Sequence, residues 1–99
     1  MAFIQIVEFR SDKIDEMRAL DAEWTARAGA EGATARRGIL CADRDDPGHY
    51  FQVVFFDSFE DAETNSNLPL TQEFAQKMMA LGQGEPAFHN LDVVDDITY

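Results

Sequence analysis

The chain has few basic residues and few cysteines. Eight lysines and arginines stand against 19 aspartates and glutamates in 99 residues, a formal net charge of −11. Such a balance repels phosphate backbones and anionic headgroups, so neither nucleic acid nor a membrane surface is expected as a partner. The single cysteine, Cys41, cannot close an intrachain disulfide. It lies in the apolar run Ile39-Leu40-Cys41-Ala42 and is expected to be a small buried hydrophobe. No apolar stretch approaches the roughly 20 residues that cross a bilayer. A strand pattern begins at Phe3 with no basic, then apolar, leader before it, so a cytoplasmic protein is the expectation. With only His49 and His89, and no H-x-x-x-H, H-x-E or cysteine partner, no metal site is expected.

What the chain does have is an ordinary globular composition, 45% apolar and 27% charged, in one domain over residues 1–99. Two segments, Phe3-Ile4-Gln5-Ile6-Val7-Glu8-Phe9 and Tyr50-Phe51-Gln52-Val53-Val54-Phe55-Phe56, are apolar at both odd and even positions. A strand with one wet face alternates apolar and polar residues, so these two are expected to be covered on both sides.

The remaining elements follow from periodicity and punctuation. Ser11 is expected to cap a helix reaching Ala28, with Ile14, Met17, Leu20, Trp24 and Ala28 on one stripe. A second strand is predicted from Ala33 to Ala42. Asp46-Pro47-Gly48-His49 then has the Pro and Gly of a type II turn, which makes a hairpin with the third strand and leaves His49 exposed. Ser58 with Asp61 opens a short helix to about Asn65. A longer helix runs from Pro69 to Leu81, burying Leu70, Phe74, Met78 and Leu81, and a last strand spans Ala87 to Val94.

The order strand, helix, strand, strand, helix, strand with right-handed crossovers gives an α+β, ferredoxin-like βαββαβ chain with an antiparallel sheet of order 4-1-3-2. Strands 1 and 3, the most apolar, are then central, and both helices share one face. The other face needs a cover, and a second copy of the chain is expected to supply it.

The segment Val54-Phe55-Phe56-Asp57-Ser58-Phe59-Glu60-Asp61-Ala62, followed by Asn67-Leu68-Pro69-Leu70-Thr71-Gln72-Glu73-Phe74, resembles the dimeric α+β barrel superfamily. Its antibiotic biosynthesis monooxygenase-like branch is the nearest in pattern. Many of its members carry a histidine just before the second helix, where this chain has Asn65 and Asn67. Haem-degrading relatives place a ligand histidine on that helix, and Pro69–Leu81 has none, so no cofactor is expected.

The resemblance implies a homodimer and a cofactor-independent monooxygenase acting on an aromatic or polyketide-like phenol in an apolar pocket. The alternative is a non-catalytic, dimeric ligand-binding or stress-associated module. His89, in a strand with Ala87, Leu91 and Val93 on its face, is the candidate base. Trp24 and Tyr50 are candidate donors to the ligand. Asn65, Asn67, Phe74 and Met78 complete the expected binding wall. Asp21, at the margin of the apolar stripe, is expected to have a raised pKa if half-buried. Of the neighbours Arg36 and Arg37, one must face a covered side.

Overall fold

A computed structural model describes residues 1–99. Strands β1 (Phe3–Arg10), β2 (Arg37–Ala42), β3 (His49–Phe56) and β4 (Ala87–Asp92) form one antiparallel sheet of order β2-β3-β1-β4. This is the expected order read from the other edge. Helix α1 (Ile14–Ala28) joins β1 to β2, and helices α2 (Phe59–Asn67) and α3 (Pro69–Leu81) join β3 to β4. No helix is long and apolar enough to cross a membrane.

Register decides which side chains share a face. Phe3 pairs with Phe56 and Asp92, so Phe3, Gln5, Val7, Phe9, Tyr50, Gln52, Val54, Phe56, Phe88 and Asn90 point to one side. Phe3 and Phe56 pack with Ala62 of α2, which identifies this as the helix-covered side. Ile4, Ile6, Glu8, Arg37, Ile39, Cys41, His49, Phe51, Val53, Phe55, Ala87, His89 and Leu91 point the other way, where the chain places no helix.

Only eight residues are buried: Phe3, Met17, Ala28, Phe56, Ala62, Leu70, Ser11 and Asn65. For a chain 45% apolar this is a small core. Phe51, Val53, Phe55, Ile4 and Ile6 remain half-covered on the helix-free face.

Local signals behave as their chemistry dictates. The α1 stripe is buried or half-buried at Ile14, Met17, Leu20, Trp24 and Ala28. Ser58 Oγ accepts the Asp61 N–H at 3.1 Å and caps α2, and Pro69 occupies the first turn of α3. The 46–49 turn closes through His49 N–H to Asp46 O at 3.2 Å. Gly48 holds φ of 86°, the left-handed value that a type II turn demands at that position.

Several expectations need correction. Ser11 does not cap α1, whose N-cap is Lys13 and which begins at Ile14. Ser11 is instead almost fully buried, accepting the Lys13 N–H at 2.9 Å and donating to Leu81 O at 2.8 Å, so it ties the end of β1 to the end of α3. The second strand starts at Arg37 rather than Ala33, because Ala33 and Thr34 bond back to Ala28 and to α2. The short helix continues to Asn67, and β4 ends at Asp92, two residues early. Cys41 is exposed, since β2 is an edge strand whose residues other than Ile39 are uncovered in the single chain. Neither Arg36 nor Arg37 is buried. Arg36 pairs with Asp57 at 2.6 Å, and the Arg37 guanidinium lies 5.4 Å from the Phe55 ring centre.

Candidate functional site

Helix α2 is short and packs near the Phe3–Phe56 pair of β1 and β3, which leaves a cleft beside it. The cleft has a volume of about 290 Å³ and is walled by Phe3 and Gln5 of β1, Asn90 of β4, and Phe59, Ala62, Glu63, Ser66 and Asn67 of α2. Its size falls at the lower end of small-molecule pockets. Phe3 and Phe59 meet edge to face with ring centres 5.4 Å apart, giving the cleft an aromatic floor. Gln5 Nε2 donates to Asn90 Oδ1 at 3.2 Å, which leaves Gln5 a carbonyl and Asn90 an amide N–H₂ to offer a guest.

The residues singled out from sequence do not converge on one chamber. Asn67 lies on the cleft wall. Asn65 lies behind it, 7% exposed, its Oδ1 accepting the Thr34 N–H at 3.1 Å. Trp24 and Phe74 face each other between α1 and α3, ring centres 6.3 Å apart, with Trp24 Nε1 donating to Thr71 Oγ1 at 3.4 Å. The gap beside them is only about 20 Å³, room for little more than one water. Met78 is half-buried on α3.

Tyr50 stacks on Phe9, ring centres 5.7 Å apart, six register positions from the Phe3–Phe56 pair and so roughly 20 Å along the strands. His89 projects from β4 on the opposite face to Asn90 and cannot touch a molecule in the cleft. Asp21 is half-buried, and burial raises its pKa as expected.

The helix-free face carries a second arrangement that sequence spacing does not reveal. His49 is not exposed in its turn: its side chain retains 15% exposure, and its ring lies 4.8 Å from the Phe51 ring. Its Nε2 is 2.8 Å from Glu8 Oε2 and its Nδ1 3.0 Å from Asp43 Oδ2. Glu8 Oε1 lies 3.2 Å from His89 Nε2, so one carboxylate links both histidines. Arg10 pairs with Asp46 beside them.

The Asp43 and Glu8 carboxylates raise the His49 pKa above the ordinary histidine value. Hydrogen bonds from His49 and then His89 lower that of Glu8. The Asp45 backbone N–H, then His49, lowers that of Asp43. A carboxylate at each nitrogen favours the charged imidazole, which donates at both, and this suits a structural role rather than that of a free base. Ligand atoms of Asp43, Asp46 and His49 lie within 4.8 Å of one another. Asp46 is already neutralised by Arg10, and these contacts account for the cluster.

Gln5, Asn90, Phe3 and Phe59 were not apparent as site residues from sequence. The one available signal was an uncharged amide, Gln5, inside the apolar run Phe3–Val7 of β1.

No protein-family model and no curated protein sequence matches the chain. Solved structures do. SnoaB, a cofactor-independent oxygenase from Streptomyces nogalater, is 13% identical with a TM-score of 0.80, covering 99% of this chain and 98% of its own. Rv0793 from Mycobacterium tuberculosis is 17% identical with a TM-score of 0.78, covering 99% and 100%. A structure described as an antibiotic biosynthesis monooxygenase is 17% identical with a TM-score of 0.73, covering 96% and 100%. The fold is thus the ferredoxin-like α+β fold of antibiotic biosynthesis monooxygenase-like proteins.

Proposed function

We propose that the chain is a small-molecule enzyme of the cofactor-independent monooxygenase kind, acting in the cytoplasm as a homodimer on an electron-rich aromatic or polyketide-like phenol bound in the cleft beside α2. The observation that carries this reading is the cleft itself. Aromatic rings and free amide groups line a space of about 290 Å³, on a fold shared end to end with a protein named as such an oxygenase.

In this reaction class the substrate is its own reductant. A ring methylene flanked by phenols becomes a carbonyl, one atom of O₂ enters that carbonyl, and the other leaves as water with the two methylene hydrogens. The protein's part is to hold the ring, keep water away and accept hydrogen bonds from, or donate them to, the phenol and the developing carbonyl. Asn90, Asn67 and Gln5 are the residues assigned to that work, with Phe3 and Phe59 holding the ring. His89 and His49 reach only a molecule held against the helix-free face.

The homodimer is supported by that face. Ile4, Ile6, Ile39, Phe51, Val53, Phe55 and Leu91 share it without a helix to cover them, and burying each fully is worth about 1.5 to 3 kcal/mol. A second sheet packed on it gives the enclosed barrel that the resemblance implies.

Oxygen uptake with an anthrone and a naphthohydroquinone tests the enzyme reading. One O₂ consumed per anthrone is expected, with Asn90→Leu and Phe59→Ala each losing at least about tenfold in kcat/KM while His89→Ala retains activity. Loss of turnover in His89→Ala alone would instead put the reacting centre on the helix-free face. Uptake no faster than in buffer favours the second reading, a non-catalytic ligand-binding or stress-associated dimer. One observation speaks for that reading: the only titratable side chain on the cleft wall is Glu63, which is exposed.

A further inference from the structure

The cleft beside α2 is one-sided in charge. Of the eight residues that wall it, Glu63 is the only ionisable one, and no lysine, arginine or histidine is among them. Helix α2 itself carries Glu60, Asp61 and Glu63 and no basic residue. Asp92 adds a second carboxylate at the rim. It is the register partner of Phe3 and stands two residues beyond Asn90 on β4, so its side chain leaves the sheet on the cleft's side. Neither Glu63 nor Asp92 takes part in an ion pair.

The chain's bases are spent or placed elsewhere. Arg10, Arg18, Arg27, Arg36 and Lys77 each face an acid of the chain. Arg37 lies over Phe55 on the helix-free face, and Lys13 and Arg44 follow the ends of β1 and β2 that are remote from the Phe3–Phe56 pair. At physiological ionic strength charges are screened over about 8 Å, so the local carboxylates set the potential of the cleft. Its sign is negative.

The uncharged groups of the wall point the same way. Gln5 donates an amide N–H to Asn90 Oδ1, so its carbonyl oxygen is left to accept. Ser66 donates its hydroxyl proton to Ala62 O at 2.9 Å, so its Oγ has only lone pairs to offer. Phe59, 46% exposed, presents a π-system that attracts a cation. A carboxylate, an amide carbonyl and a hydroxyl oxygen make three acceptors, the number that the three N–H donors of one ammonium group can use. An acidic guest would instead meet Glu63, with only the amide N–H groups of Asn67 and Asn90 to answer it.

We propose that the guest of this cleft is an aromatic molecule bearing a protonated amine, its ammonium group held by Glu63, Gln5 Oε1 and Ser66 Oγ with Asp92 at the rim. The inference rests on the cleft reading above and narrows its substrate from phenols in general to amine-bearing ones.

Three probes share one ring and differ in charge: naphthylmethylamine, naphthalenemethanol and naphthoate. Their binding to the full chain is followed by the side-chain amide NMR signals of Gln5, Asn67 and Asn90, which report the cleft. At low salt the amine should bind at least about fivefold more tightly than the alcohol, and naphthoate more weakly than either. Raising the salt to about 0.5 M should shrink the amine-to-alcohol ratio. Glu63→Gln should lower that ratio at least about threefold at low salt. Glu85→Gln, which removes one exposed charge near the opposite end of β4, should leave it where it was.

If the alcohol moves the cleft amides but naphthoate binds as tightly as the amine, or Glu63→Gln leaves the ratio unchanged, the charge selection is wrong and the cleft reading stands. An equal fall in Glu85→Gln would assign the preference to net charge and overturn the proposal in the same way. If none of the three probes moves these amides, the cleft reading falls with it.

Discussion

Replacing Asn65 by alanine separates a structural from a ligand-binding role at a residue that sequence reasoning had placed in the binding wall. The Asn65 side chain is buried in α2, and its Oδ1 accepts the backbone N–H of Thr34 at 3.1 Å, while Thr34 Oγ1 donates to Asp61 O at 2.6 Å. This pair of bonds fastens the loop between α1 and β2 onto α2. Alanine leaves the Thr34 N–H without an acceptor in a part-buried place, which costs about 1 to 3 kcal/mol. Alanine also favours the helix over asparagine by roughly half a kcal/mol. The expected net loss is about 1 to 2 kcal/mol. For a chain of this length each kcal/mol lowers Tm by roughly 4 to 8 °C, so the variant should melt about 5 to 15 °C below the native protein. Thermal unfolding followed by circular dichroism measures it. A Tm within about 2 °C of native, together with lost substrate binding, would refute the fastening role and return Asn65 to the ligand.

Val53→Asp places an unpaired carboxylate at the centre of the helix-free face, between Ile6 and Ile39 in register. Burial against a second copy would cost about 3 to 5 kcal/mol, so sedimentation should show the dimer dissociation constant raised at least about a hundredfold in a chain that still folds. His49 is stabilised in its charged form, so its contribution to stability is fully present below about pH 6.5 and is lost as the pH rises through its raised folded value. Glu8 and Asp43 have the opposite sign: their contributions are present above the ordinary carboxylate range and fade as the pH falls through their lowered values. Denaturant titrations of His49→Gln between pH 6 and 9 should therefore lack the native protein's decline on the alkaline side. Gly48→Ala forces a left-handed backbone on alanine and should cost about 1 to 2 kcal/mol by the same titration.

The fold was legible because its signals are local or periodic. The stripe through Met17, Trp24 and Ala28, the Ser58 cap and the Pro47-Gly48 turn each act over a few residues. Strand order followed from the element order with right-handed crossovers, and the apolar character of strands 1 and 3 agrees with their central place. The site was less legible because its contacts depend on register across the sheet. Gln5 meets Asn90 85 positions later, and Glu8 meets His49 and His89 41 and 81 positions later. No spacing rule along the chain announces such pairs. Ser11 had the residue type of a helix cap, but tertiary packing against Leu81 claimed its hydroxyl. His49 lay in a recognisable turn, yet the face on which β3 begins, rather than the turn, set its burial. Cys41 was read from its apolar neighbours, whereas its exposure follows from the edge position of β2.

The homodimer proposed above covers the helix-free face of the sheet with a second copy of the chain. Sedimentation equilibrium of the native protein from about 1 to 100 μM tests this directly. The predicted result is the mass of two chains over the upper part of that range. A single-chain mass at every concentration, with a cooperative melt, would contradict it.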